Sequence, residues 1–169
     1  LFVYLPKNSG GADAAANIQL QLKQKQTDIV YVVVVAEEDT NISVTELLSS
    51  DNGSQNKEYR VEVVDVYAMA GAKVRFATLQ KLGMNVQSLI ARYSSVENAA
   101  SVDWTDVSIG GGSTRQEIVS NLNAEGASST ISGAFFGDET QQLDIMAKAI
   151  HNARNTTSNM RIKGALKGK

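Results

Sequence analysis

Cysteine is absent from the 169 residues of this chain. No disulfide can therefore form within it, and it supplies neither a thiolate metal ligand nor a cysteine nucleophile. Histidine and proline each occur once, at His151 and Pro6. No apolar run approaches the roughly 20 residues that a membrane-spanning helix needs, and no charged-then-apolar signal segment opens the chain. Charge of one sign is lacking as well: the formal net charge is -2, which gives no electrostatic ground for a nucleic-acid or anionic-membrane partner. The local exception is a basic end formed by Arg154, Arg161, Lys163, Lys167 and Lys169, which reads as a solvated terminus. These absences lead us to expect a cytoplasmic protein without membrane or nucleic-acid contacts. Its length suits one domain over 1–169 with a continuous core. Because Leu1 to Leu5 already has the character of a strand and no methionine precedes it, we expect a piece of a longer protein.

What is present favours β structure. Runs of Val, Ile, Thr and Tyr are separated by Gly, Asn, Asp and Ser, the composition of strands and turns. Ile18, Leu20 and Leu22 alternate with Gln19, Gln21 and Lys23, the period of a half-buried strand. Ile29 to Val35 is apolar throughout, which predicts a strand covered on both faces.

A repeat organises these segments. Gly71-Ala72, Ala99-Ala100 and Gly126-Ala127 each precede an alternating strand, and Asp39-Thr40 and Asn155-Thr156 fit the same frame. Counted on the second residue of each pair (40, 72, 100, 127, 156), the steps are 32, 28, 27 and 29. The longer first step is assigned to a polar loop over Ser49 to Lys57. Between the pairs lie second apolar segments, Tyr59 to Tyr67, Val86 to Tyr93, Arg115 to Asn123 and Gln142 to His151. Two strands of about six or seven residues plus two turns make one flattened coil of about 28 residues, and successive coils stack about 4.8 Å apart. The expected fold is thus all-β, a parallel β-helix (β-solenoid) with two strands per coil. Small residues should occupy the corners, where the next coil leaves no room for larger ones. Val74, Phe76, Val102, Trp104 and Ile131 should point inward as stacked core fillers. Thr78 to Arg92 and Gln141 to Arg154 also fit helical spacing, but a single register explains several segments at once and is preferred.

The possible chemical sites are weak. Ser9-Gly10-Gly11 and Gly110-Gly111-Gly112-Ser113-Thr114 lack the Lys-Ser/Thr of a phosphate-binding loop and do not fit G-x-G-x-x-G, so they read as flexible turns. Sequons at Asn41, Asn52 and Asn155 carry no weight without a secretory signal. Asp138, Glu139, Asp144 and His151 could serve acid–base or metal chemistry only if they converged. His151 reads better as a corner residue satisfied by its neighbours than as a metal ligand. No column of like charges is evident at Arg75, Asp103, Thr130 and Arg161. The residues alone therefore indicate a β-solenoid with no catalytic residues.

Between Gly137 and Gly164 stands the series Gly137, Gln142, Asp144, Ala147-Lys148, then His151, Asn155, Thr156 and Ser158, and finally Lys163-Gly164. In this series the sequence resembles the SufB/SufD family of iron-sulfur cluster assembly proteins. Phe2-Val3-Tyr4-Leu5-Pro6-Lys7 is similar to the phrase that opens the same core, and Ala70 to Gln80 to one of its corners and strands. Arg154 stands where the family usually has proline. The resemblance implies a right-handed parallel β-helix flanked by helical segments that this chain lacks. It implies a non-enzymatic scaffold that works with a SufC-type ABC ATPase and pairs with a SufB- or SufD-type partner or with itself through the β-helix edges. It also implies an iron-sulfur cluster held transiently by the full assembly, with cluster ligands in segments outside this chain and none bound by this piece. The competing readings are a β-helix carbohydrate-active protein and a purely structural interaction domain.

Overall fold

At Asp39, Gly71, Ala99, Gly126 and Asn155 the backbone turns through left-handed conformations, with φ of 56°, 71°, 51°, 74° and 56°. These are the first members of the five sequence pairs, so the repeat marks a column of corners. The amide of Asp39 donates to Ala70 O, that of Gly71 to Asn98 O and that of Ala99 to Glu125 O, which stitches the first three corners each to the next. The second members Thr40, Ala72, Ala100 and Ala127 are buried beneath them.

The structure is a computed structural model and describes residues 1–7, 14–22, 27–50, 56–138 and 140–168. Ser9-Gly10-Gly11, Lys23, Asn52-Gly53-Ser54, Glu139 and Lys169 lie outside the described residues. Among the described residues twelve strands run β1 (Phe2–Leu5), β2 (Ala14–Leu22), β3 (Thr27–Ala36), β4 (Asn41–Ser50), β5 (Glu58–Ala68), β6 (Lys73–Leu82), β7 (Val86–Val96), β8 (Ser101–Gly110), β9 (Ser113–Leu122), β10 (Ser128–Asp138), β11 (Gln142–His151) and β12 (Thr157–Lys167). Odd-numbered strands form one six-stranded sheet in the order β1-β3-β5-β7-β9-β11, and even-numbered strands form the other, β12-β10-β8-β6-β4-β2. Every pairing is parallel. The result is the parallel β-solenoid that the repeat predicts. Asn41 pairs with Lys73, Lys73 with Ser101, Ser101 with Ser128 and Ser128 with Thr157, which reproduces the steps of 32, 28, 27 and 29.

Three details differ from the sequence reading. From β2 onward the strands are nine to eleven residues long, longer than supposed, because the corners need so few residues. Ile29 to Val35 is not covered on both faces: Val32 and Val34 are fully buried, but Ile29 and Tyr31 are 76% and 52% exposed. Gly110 to Gly112 is not a loose turn. Cβ atoms at Gly110 and Gly112 would lie 2.1 Å from Leu82 O and Met84 O, so the coil below dictates glycine there. Neither helix-like segment is a helix. Gln142–His151 is strand β11, with Leu143, Ile145, Ala147 and Ala149 facing the interior at least in part.

The dry half of the interior lies beside the left-handed corners. There Val64, Val66, Ala68, Val74, Phe76, Val96, Val102, Trp104 and Ile131 are 2% exposed or less. Phe76 and Trp104 stack in consecutive coils with ring centroids 5.2 Å apart, as inward columns of an alternating strand must.

Candidate functional site

The other half of the interior is charged. In β5 the inward positions read Glu58, Arg60 and Glu62 before continuing as Val64, Val66 and Ala68. The three charged side chains and the three apolar ones therefore share one face. Opposite them Glu46, Thr78 and Asp106 form a column through β4, β6 and β8, and Arg92 enters from β7. Arg60, Arg92, Glu46 and Glu62 are at most 1% exposed, and Asp106 is 6% exposed.

These side chains form one network. Arg92 Nη1 donates to Asp106 Oδ2, and Arg92 Nη2 donates to Glu46 Oε2 and Glu62 Oε1, both at 3.3 Å. Arg60 joins it through Nη2 to Glu62 Oε2 at 3.2 Å and Nη1 to Asp28 Oδ2 at 3.3 Å. Thr78 Oγ1 donates to Glu46 Oε2 at 3.2 Å. Ser108 donates to Asp106 at 3.0 Å, and farther along Thr114 Oγ1 accepts from Gln80 Nε2 at 3.2 Å and lies 2.9 Å from Ser88 Oγ.

Taking so many charges out of water is costly unless each is paired. Burial and the neighbouring Glu62 push the Glu46 carboxyl up to about 7, against the opposing pull of Arg92, Thr78 and Arg60. Burial works against the Arg92 cation, but Asp106, Glu62 and Glu46 together more than compensate and hold its proton more firmly than usual. The cluster is therefore built around a fixed cation and a carboxyl able to exchange a proton near neutrality.

The residues carried by the family resemblance lie elsewhere, on the last coil. His151 ends β11; its Nδ1 is 2.7 Å from Thr156 Oγ1 and its Nε2 is 3.0 Å from Ser158 Oγ. Thr156 Oγ1 also donates to Ala153 O at 3.2 Å, and Asn155 Nδ2 donates to Glu125 Oε1 at 2.7 Å on the coil below. Asp144 is exposed, with Oδ2 3.7 Å from Arg115 Nε. Gln142 is exposed and holds its coil through its amide, which donates to Gly112 O at 3.0 Å. The glutamine whose side chain clamps that turn is its neighbour Gln141: Nε2 donates to Gly111 O at 2.9 Å, and Oε1 accepts from Asp138 N at 2.6 Å. Lys163 is exposed on β12. Gly164 lies under the Phe135 ring, where an added Cβ would meet Cζ at 2.1 Å.

Asp138 and His151 stand at opposite ends of the last coils, at the close of β10 and of β11. Among the described residues no group of three or more His, Cys, Asp or Glu side chains is arranged to hold a metal ion. With both His151 ring nitrogens engaged and no cysteine in the chain, the described residues do not fit an iron-sulfur cluster. Arg75, Asp103 and Thr130 do stack as one column, but the next residue in it is Asn159 and not Arg161. The consistent charge lies inside, and the sequence reading missed it. The available signal was parity in β5, where charged and apolar residues alternate onto one face.

The profile described as SUF system FeS cluster assembly, SufBD core domain, matches residues 19–169. Curated relatives agree. An iron-sulfur cluster assembly SufBD family protein of Mycobacterium leprae is 32% identical over 106 residues, 63% of this chain and 12% of that protein. Proteins of the same description from Staphylococcus epidermidis and Staphylococcus saprophyticus are each 28% identical over 159 residues, 93% of this chain and 34% of each relative. The chain thus spans between about an eighth and a third of the length of these relatives.

Proposed function

The chain belongs to the SufBD core-domain family of iron-sulfur cluster assembly, and on that premise we propose that it is a non-enzymatic scaffold segment of a cytoplasmic assembly machine. The observation that carries the reading is the extent of the match, which takes in eleven of the twelve strands among the described residues, in whole or in part. In this reading 1–169 is one β-helix core domain of a longer protein. Cluster ligands and the surface for a SufC-type ABC ATPase are supplied outside it, and the cluster is cargo of the complete assembly.

The last coil would serve assembly by shape. Gln142, Asp144, His151, Asn155, Thr156, Ser158, Lys163 and Gly164 shape β11, its corner and β12, the outermost strands of the two described sheets. A sheet edge presents unpaired backbone groups that another strand can match. A SufB- or SufD-type partner, or a second copy, is accordingly proposed to continue the solenoid there. A carbohydrate-active β-helix is less well supported, because the outward column Arg75, Asp103, Thr130, Asn159 repeats no acid or base.

The test uses the full-length parent protein with a SufC-like ATPase, by co-purification and by anaerobic reconstitution with iron and sulfide. Retention of the ATPase and a cluster absorbance band are the expected results. Failure of both would remove the assembly reading and leave a structural interaction domain.

A further inference from the structure

Two contacts across the lumen lie side by side beyond the charged cluster. Gln80 on β6 and Ser108 on β8 are register partners on one wall, and Thr114 and Gln116, two residues apart on β9, share the inward face of the other. Gln80 Nε2 donates to Thr114 Oγ1 at 3.2 Å, and Gln116 Oε1 lies 3.5 Å from Ser108 Oγ. The second of these is weak, because the single hydroxyl proton of Ser108 has a nearer and charged acceptor in Asp106 Oδ1 at 3.0 Å. The remaining amide atoms, Gln80 Oε1 and Gln116 Nε2, are buried and have no hydrogen-bond partner among the described residues. Both glutamines are 1% exposed.

A buried amide group is seldom left without a partner, because the bonds it made to water in the unfolded chain are not replaced. Here an acceptor and a donor belong to neighbouring cross-lumen pairs and do not bond to each other. Exchanging oxygen and nitrogen in either amide still leaves one atom of each glutamine unpaired, so the shortfall does not depend on how the amides are turned. Apolar side chains close the layer on both sides. Phe135, Leu143 and Ile145 follow Ser108, Thr114 and Gln116 in the next coil, and the buried Leu48 and Ile90 precede Gln80 and Gln116. Neither amide is open to bulk solvent.

We propose that Gln80 and Gln116 hold an ordered internal water, which accepts from Nε2 of Gln116 and donates to Oε1 of Gln80. Ser108 Oγ, whose own proton goes to Asp106, is left to accept the water's second proton, which brings the water to the usual number of about three bonds. An ion suits the pair less well: a cation would meet the Gln116 donor and an anion the Gln80 acceptor, whereas water answers both. The same water connects two polar groups that no direct hydrogen bond joins. On one side stand Gln80, Thr114 and Ser88; on the other stand Ser108, Asp106 and Arg92. The charged cluster is thereby extended through the lumen up to the apolar layer of Phe135, Leu143 and Ile145.

The test is a crystal structure of the 169-residue chain at a resolution that shows ordered solvent, joined to water-selective NMR on the same protein labelled with nitrogen-15. Density for one water within hydrogen-bonding distance of both amides is expected. In solution the side-chain amide protons of Gln80 and Gln116 should show cross-peaks to water of opposite sign in NOESY and ROESY spectra, the mark of a bound molecule and not of proton exchange. Exposed Gln142 serves as the control and should show none of that kind. Gln116→Met removes one anchor and should abolish the cross-peak at Gln80, and Gln80→Met should abolish the one at Gln116. The proposal is overturned if the crystal shows the two amides in direct contact with no density between them, or if the parent's amide protons show no such cross-peaks. Cross-peaks that persist in either methionine variant also overturn it, since other groups then hold the water. Should neither variant fold, the parent's density and spectra decide the question by themselves.

Discussion

Glu46 on β4 and Glu62 on β5 belong to opposite sheets, yet both accept from the same nitrogen, Nη2 of Arg92, at 3.3 Å. The other arm of that guanidinium goes to Asp106 on β8. One side chain therefore ties together carboxylates from three successive coils and from both walls of the solenoid. The planar fork of arginine allows this, where a lysine ammonium would offer a single point charge. Interior columns of a solenoid bond mainly to the coil above and below. This cluster instead bonds across the lumen and joins the two sheets there, beside the buried Ile90 in the column of Glu62.

Removing Arg92 leaves Glu46 and Asp106 buried without a bonded cation and Glu62 with Arg60 alone. Replacement by methionine, similar in reach and apolar, should cost about 3–5 kcal/mol, the range found when one partner of a buried ion pair is lost. Arg92→Lys, which keeps the charge and loses the fork, should fall between the two. The midpoint of urea unfolding for the three proteins measures this; equal midpoints for parent and Arg92→Met would refute the cross-lumen role.

The same cluster sets a pH dependence whose sign follows from Glu46. Its carboxyl, raised to about 7 by burial and by Glu62, holds a proton more firmly folded than unfolded. The stability it contributes is therefore complete below the unfolded value near 4.5 and is lost as pH rises through about 7. Glu46→Gln fixes the neutral form in place. The difference in unfolding midpoint between Glu46→Gln and the parent should accordingly move in favour of the variant between pH 5 and pH 8. A constant difference across that interval would show that Glu46 does not titrate there.

The coil length could be read from the sequence because the corners impose a backbone requirement on single residues. Asp39, Gly71, Ala99, Gly126 and Asn155 recur at the interval of one coil, each followed by a small residue or threonine. The Trp104 and Phe76 stack followed from the same register. The charged half-lumen was harder to see. Glu46, Arg60, Glu62, Arg92 and Asp106 are 60 positions apart end to end, and only the folded coils bring them within hydrogen-bonding distance. Hydrophobic periodicity also favours a dry interior, so inward charges register as noise. Ile29 and Tyr31 misled for the complementary reason. Hydropathy reports that a residue wants cover, and it is silent on whether the cover lies within the same chain.

The left-handed corners give a paired test. At Gly71 a Cβ would stand 2.1 Å from Asp39 Oδ1 on the preceding corner, and φ is 71°. Gly71→Ala should therefore cost about 1–3 kcal/mol, from the left-handed penalty plus the displaced aspartate. Ala99 already accepts φ of 51°, so Ala99→Gly trades a penalty of about 1–2 kcal/mol against a glycine entropy cost of about 0.5–1. It should leave stability unchanged or slightly raised. Thermal melts of both variants check the contrast, and a destabilised Ala99→Gly would show that the corner is held by its side chain and not by its backbone.

His151 separates a corner role from an iron role. Its two ring nitrogens span the turn that joins β11 to β12, reaching Thr156 on one side and Ser158 on the other. Alanine there removes both hydrogen bonds and leaves Thr156 with its bond to Ala153 O. At about 0.5–1.5 kcal/mol for each exposed bond, His151→Ala should lower stability by about 1–2 kcal/mol. In the full-length parent it should leave the yield of reconstituted cluster unchanged once the protein is assayed well below its melting temperature. Ligation predicts the reverse pattern, since an imidazole that leaves the turn to bind iron contributes little to the fold and much to the cluster. A variant with unchanged melting but no cluster absorbance would assign the histidine to the metal and would require the ring to rotate away from Thr156 and Ser158 in the assembled complex.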